Sequence, residues 1–217
     1  NQILESSQDK LYNKQFEHDM DSNILLLGTD NGVIDLSSCT FRKSTPQDMI
    51  SKSVGFNYFD GNYKLDAIVQ KEFTEFIKKI YPIKEEEEIV QRYIGYCLLG
   101  DHRSKIFALF TDKSNGYNGK STIGKLILQS LGEYAMKGKN ELFYKVQNNN
   151  TTIDSHSAGM IHHLGKRLAI FEELDPHRKF DNQIMKDLNG GNTTFEGRLF
   201  RSADYAKFTW GTSMILN

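Results

Sequence analysis

Apolar side chains recur along this chain at two spacings, and the switches between them lay out its elements. Asn23-Ile24-Leu25-Leu26-Leu27 and Val33-Ile34-Asp35-Leu36 flank Gly28-Thr29-Asp30-Asn31-Gly32, and two apolar runs about an Asn-Gly step predict a β-hairpin. From Leu65 the positions Ile68, Val69, Phe73, Phe76, Ile77 and Ile80 keep a helical stripe that Pro82 stops. A second helix opens on the acidic run Glu85 to Glu88, carries Ile89, Val90, Tyr93, Ile94, Cys97 and Leu98 on its apolar face, and ends at Gly100. Carboxylates in a first helical turn are favoured by the helix dipole, so the acidic run reads as a helix start and not as a metal site. The first twenty residues read as part of a helix. Residues 1–100 are thus expected to form a mixed, largely helical N-terminal segment, and residues 101–217 a separate α/β core.

The core opens on its most informative stretch. Lys105-Ile106-Phe107-Ala108-Leu109-Phe110 predicts a strand, and Ser114-Asn115-Gly116-Tyr117-Asn118-Gly119-Lys120-Ser121-Thr122 follows it. Behind that loop Ile123, Leu126, Ile127 and Leu131 take helical spacing, with Gly132 where a left-handed C-cap belongs. Strand, Gly-containing loop and helix in that order build a phosphate cradle: loop amides and the first helical turn face the phosphates, the lysine reaches the outer ones, and the serine hydroxyl ligates Mg²⁺. The expected nucleotide contacts are Asn115, Gly116, Tyr117, Asn118, Gly119, Lys120, Ser121 and Thr122, with ATP and Mg²⁺ as cofactors. The usual spacing would put a glycine at Ser114, but Gly116 and Gly119 still let the backbone curl.

Downstream, Lys166-Arg167 leads into Leu168-Ala169-Ile170-Phe171, a short apolar strand followed by Glu172-Glu173. This strand is expected beside the one before the phosphate loop, with Glu172 assigned to the metal and Glu173 to the general base; the plainer reading is two exposed glutamates that start a loop. A helix around Asn182 to Leu188 precedes a hairpin whose tip is expected near Arg201 to Ala206. Arg198, Arg201 and Lys207, interleaved with Phe200 and Tyr205, form a small basic and aromatic patch suited to phosphates and stacked bases; the plainer reading is solvated surface arginines on a hairpin. Thr212 to Asn217 reads as a further buried strand with a polar amide at its end.

Composition narrows the classes. With 217 residues, 38% apolar and 12% aromatic, the chain can build a real core as one large domain or two small ones. Lys plus Arg number 27 against 28 for Asp plus Glu, a net charge of −1, so any nucleic-acid contact must be a local patch. Cys39 and Cys97 give neither a disulfide framework nor zinc spacing and fit a reducing compartment. His156, His162 and His163 are scattered and read as solvated or core-packed side chains. No run reaches membrane-spanning length, and no signal-peptide pattern opens the chain. It does not begin with Met, and it reads as part of something longer.

In their order these pieces resemble the helicase part of the poxvirus-type primase-helicases of large DNA viruses and related phages, members of helicase superfamily three within the AAA+ ATPases. The resemblance rests on Asn31 to Leu36 with Phe41-Arg42 and Pro46-Gln47-Asp48, on the Asn-Gly-Lys-Ser-Thr form of the phosphate loop, on Gly165 to Glu173, and on Lys186 to Asn192 through Arg198. It departs at Ser114 and Asn192, where the family tends to have Gly and Asp. The resemblance implies a sensor role for Asn217, which joins Lys120 and Glu173 as a catalytic residue. It also implies a six-subunit ring that hydrolyses ATP to pull single-stranded DNA through its centre and works at a cytoplasmic replication site in the host cell, and it leaves open a primase domain upstream. An arginine finger from a neighbouring subunit is expected beyond Asn217. The residues alone also allow a small-molecule kinase or a nucleotide-regulated switch that binds DNA without unwinding it.

Overall fold

A computed structural model describes residues 16–59, 67–100, 104–106, 108–111, 119–145, 161–190, 194–198, 205–209 and 211–216. After a short helix α1 (Phe16–Asp19), strands β1 (Leu26–Thr29), β2 (Gly32–Asp35) and β3 (Thr40–Arg42) form an antiparallel sheet in the order β1-β2-β3. The hairpin is where the apolar runs put it, but its connection is Asp30-Asn31, since Thr29 pairs with Gly32. Gly32 serves the ladder instead of the turn: a Cβ there would meet the carbonyl oxygen of Arg42 at 2.3 Å. Helices α2 (Ala67–Ile80) and α3 (Lys84–Cys97) follow, broken at Pro82 as the sequence predicts.

The second half is α/β: β4 (Ala108–Phe110), α4 (Lys120–Leu131), β5 (Ala135–Lys137), β6 (Leu168–Glu172), α5 (Asn182–Asn189), β7 (Thr194–Arg198), β8 (Tyr205–Thr209) and β9 (Thr212–Leu216). Strands β4, β9, β6 and β5, in that order, form a parallel sheet, and β7 and β8 pair apart from it as an antiparallel hairpin. The expectation that the acidic strand lies beside the loop strand is corrected, because β9 stands between them. Burial explains the order. A strand covered on both faces must be apolar at successive positions. Residues 168–171 of β6 and 213–216 of β9 are all buried, whereas Leu109 of β4 is 55% exposed and suits an edge.

The pleat divides the core in two. Leu168, Ile170, Met214 and Leu216 face one side, where Ile123, Ile127 and Leu131 of α4 meet them together with Leu27, Val54, Tyr93 and Cys97. Ala169, Phe171 and Ile215 face the other, against Leu142, Phe143 and Leu188. Phe143 meets Phe171 edge-on at 4.5 Å between ring centres. Residues on both sides of position 100 therefore contribute to the first layer. Gly132 closes α4 with φ +48° and ψ −122°, positive in φ yet outside the left-handed helical basin, and a Cβ there would lie 2.3 Å from the carbonyl oxygen of Val54. Close approach is a second reason for glycine at that position.

A buried arginine joins the two sheets. Arg167, 7% exposed, donates to the carbonyl oxygens of Leu98 and Leu26, both at 2.5 Å, and its guanidinium lies 4.5 Å from the centre of the Tyr134 ring. Tyr134 accepts at its hydroxyl from the Gly28 amide (2.9 Å) and donates to the carbonyl of Lys52 (3.0 Å). Burial lowers the pKa of Arg167, but a guanidinium stays charged in proteins, so it relies on these carbonyls and the ring face. Arg167→Met keeps the apolar stem and strips one buried carbonyl (Leu26) and one half-buried carbonyl (Leu98) of their donor. We expect a loss of about 2–4 kcal/mol, since each buried unsatisfied group costs about 1–3 kcal/mol. Urea unfolding should show a lower midpoint with an unchanged m-value.

Candidate nucleotide site

Helix α4 begins at Lys120 because Gly119 turns the chain into it: its φ of +80° and ψ of 2° are left-handed, and its carbonyl accepts from the Ile123 amide at 3.0 Å. Gly119 carries no side chain to cap the helix, so the amides of the first turn face outward with the dipole behind them. The same glycine seats the end of α2, since a Cβ there would lie 2.5 Å from Ile80 Cδ1 and 3.8 Å from Phe76. Lys120 is half-buried, Ser121 and Thr122 are exposed, and Ile123 anchors the helix in the core. Asn115, Gly116, Tyr117 and Asn118 lie outside the described residues, as does Ser114.

The parallel sheet brings three strand ends into one row. Leu216 pairs with Phe110 on one side and with Glu172 on the other. This is the carboxyl edge, where open α/β sheets bind ligands. Asn217, next in the sequence, lies outside the described residues.

Glu172 ends β6 with its side chain 16% exposed. One oxygen, Oε2, accepts from Lys137 Nζ at the end of β5. The other, Oε1, is 3.6 Å from where a Cβ would stand on Gly124, one turn into α4. Glycine is needed at that crossing, because the same Cβ would also come within 2.6 Å of Leu216 Cδ1. The carboxylate thereby raises the pKa of Lys137, chiefly through the hydrogen bond. Glu173 leaves the strand at φ +54°, a left-handed residue without glycine's freedom. Its amide donates to the carbonyl of Leu216 at 3.0 Å. Asn140 Nδ2 donates to the carbonyl oxygens of both Glu172 (2.6 Å) and Glu173 (3.2 Å).

A carboxylate oxygen turned toward the helix that carries Ser121 is the hard oxygen donor set that suits Mg²⁺, which takes one or two carboxylates and leaves its other positions to phosphate and water. Among the described residues no group of three or more His, Cys, Asp or Glu is arranged to hold a metal. His163 is buried and stacked on Phe171 at 6.4 Å, a core contact of the kind expected for these histidines. Lys137 and Asn140 were missed in the sequence, because the short run Ala135-Met136-Lys137 carries no strand signal that would aim them at the acids.

Downstream, Asp181 caps α5 by accepting from the amides of Gln183 (2.9 Å) and Ile184 (3.4 Å). In the hairpin, Arg198 pairs with Tyr205 and Lys207 with Glu196, so Tyr205 and Ala206 belong to the ladder and the connection spans residues 199–204. Arg201 falls in that connection and lies outside the described residues, as does Asn192.

Residues 9–82 match the family described as D5 N terminal like, a span that takes in the antiparallel sheet and α2 and stops short of the nucleotide loop. The chain is 28% identical over 207 residues to a protein of Acanthamoeba polyphaga mimivirus named as a putative helicase, covering 95% of this chain and 21% of that protein. It is 29% identical over 178 residues to a similarly named protein of Invertebrate iridescent virus 6, covering 79% of this chain and 17% of the relative. A third, from Invertebrate iridescent virus 3, is 32% identical over 133 residues, covering 61% and 14%. The chain thus spans 21% or less of the length of these curated relatives. With a D5-like N-terminal segment over residues 9–82 and helicase-named kin in three large DNA viruses, the chain is similar to the D5-type primase-helicases.

Proposed function

We propose that this chain is the ATP-binding part of a viral replicative helicase, a ring-forming AAA+ motor of superfamily three that hydrolyses Mg-ATP to move along single-stranded DNA and separate the duplex. One observation carries the reading: the Glu172 carboxylate at the end of β6 reaches the helix that Gly119 and Lys120 open. Phosphate donors and a metal-binding acid are then on one edge of one sheet.

In this reading the amides from Asn115 to Thr122 and the Lys120 ammonium hold the phosphates, Ser121 and Glu172 hold Mg²⁺, Glu173 takes the proton of the attacking water, and Asn217 orients that water. A metal ion held by Ser121 and Glu172 would supply neutralisation of charge on the phosphate oxygens. The near-neutral net charge fits a ring, because a few basic hairpin positions add up when each subunit contributes a copy to a central channel. Relatives named as helicases and found in large DNA viruses support a viral protein acting in the host cell during DNA replication. Among the described residues no helix is long and apolar enough to cross a membrane. The deciding experiment is steady-state phosphate release by the full-length protein, with and without single-stranded DNA, beside strand separation of a forked duplex. Stimulation and unwinding are expected; turnover indifferent to DNA would favour a switch instead.

The DNA path has its own test. Replacing Arg198, Arg201 and Lys207 by Ala in the assembled protein should weaken single-strand binding and flatten its salt dependence, since each lost phosphate contact reduces the log–log slope by about 0.7. Affinity for ATP should hold. An unchanged slope would put the DNA path elsewhere.

A further inference from the structure

We infer that Lys137, at the end of β5, and Asn140, just after it, are positioning residues for the acidic pair, a third component of the site besides the phosphate loop and β6. This rests on the reading of the site as a Mg-ATP cradle. Two separate contacts point to it. The Lys137 ammonium takes Oε2 of Glu172, which leaves Oε1 as the oxygen turned toward Gly124 and the opening of α4. Asn140 holds two successive carbonyls, those of Glu172 and Glu173, at the point where the backbone enters its left-handed turn. One residue fixes which oxygen of the first acid faces the helix; the other fixes the direction in which the second acid leaves the strand.

Register makes the arrangement specific to this edge. Lys137 pairs with Ile170, two residues before Glu172, so its long side chain runs forward along the sheet edge to reach the carboxylate. The Lys137 side chain is 63% exposed and that of Glu172 16%, a poor geometry for stability, since exposed ion pairs contribute little. Its value lies in orientation.

Two effects oppose each other when the lysine is removed. Loss of a nearby positive charge favours a divalent cation: for an exposed ammonium about 6 Å away the change in affinity is about tenfold in pure water and only about threefold once physiological salt screens it. Loss of orientation weakens it, and outer-shell partners of metal ligands are worth about 10–100 fold in metal affinity. Orientation therefore wins, toward the lower end because the lysine is solvated.

The test uses Mn²⁺ in place of Mg²⁺ with ATP, and reads bound Mn²⁺ by electron paramagnetic resonance in the 217-residue chain. Lys137→Met should weaken ATP-dependent Mn²⁺ binding by about tenfold, with affinity for metal-free ATP unchanged, and Lys137→Arg should restore it. Equal or tighter Mn²⁺ binding in Lys137→Met would overturn the proposal for this residue. For Asn140→Ala in the full-length protein, kcat should fall while KM for ATP stays constant; an unchanged kcat would overturn its part. If the wild-type chain shows no ATP-dependent Mn²⁺ binding, the nucleotide reading falls and this inference falls with it.

Discussion

Lys120→Ala should weaken binding of Mg-ATP by about 100-fold, because a hydrogen bond to a charged group contributes about 1.5–3 kcal/mol and each 1.4 kcal/mol is tenfold in affinity. Lys120 is the first residue of α4, immediately after the left-handed Gly119, and in the proposed site its ammonium would share one anion with the helix amides. The substitution favours the helix, since Ala is its best former, and fold stability should not fall. Titration with a fluorescent ATP analogue, alongside a thermal melt, separates lost binding from lost structure. Equal affinity in wild type and variant would remove the phosphate cradle from the account, and with it the reason for assigning Ser121 and Glu172 to a metal.

Periodicity made most of the elements legible. The stripe from Ile68 to Ile80, the face from Ile89 to Leu98 and the spacing of Ile123, Ile127 and Leu131 are the helices α2, α3 and α4, because a helix that packs on a core must repeat its apolar residues near 3.6. The runs at Leu168 and Thr212 are strands for the complementary reason that successive apolar positions serve both faces of a buried strand. Strand order is a different kind of information. Nothing in the local pattern of β6 says that β9, forty residues later, inserts between it and β4; that follows from which strands bury both faces, a property of the assembled sheet.

Polar residues were the least legible, because their roles depend on partners remote in the chain. Lys166-Arg167 looks like a solvated pair leading into a strand, yet Arg167 is buried and bonded to carbonyls 69 and 141 positions away. Lys137 and Asn140 meet the acidic pair across 35 and 32–33 positions. Glu172 and Glu173 were visible as a pair at a strand end, but their different surroundings were not: one is held between β5 and α4, while the other turns away in a left-handed conformation.

That difference underlies the second large effect. Glu173→Gln should leave ATP bound and lower turnover by about 10²–10⁴ fold, the range that a positioned general base supplies. Gln has nearly the same shape and can occupy the same left-handed position, but its amide cannot take a proton from water. Glu172→Gln should behave differently. Its Oε2 partner is a lysine and its Oε1 faces α4, so removing the charge should weaken the nucleotide-dependent metal before it slows chemistry. The two variants are separated by measuring Mn²⁺ affinity in the presence of ATP together with single-turnover hydrolysis in the full-length protein. For Glu173→Gln the metal affinity should match wild type while the hydrolysis rate collapses; for Glu172→Gln both should fall, and added metal should recover part of the rate. The reverse pattern would exchange the two roles and make the carboxylate held by Lys137 the base.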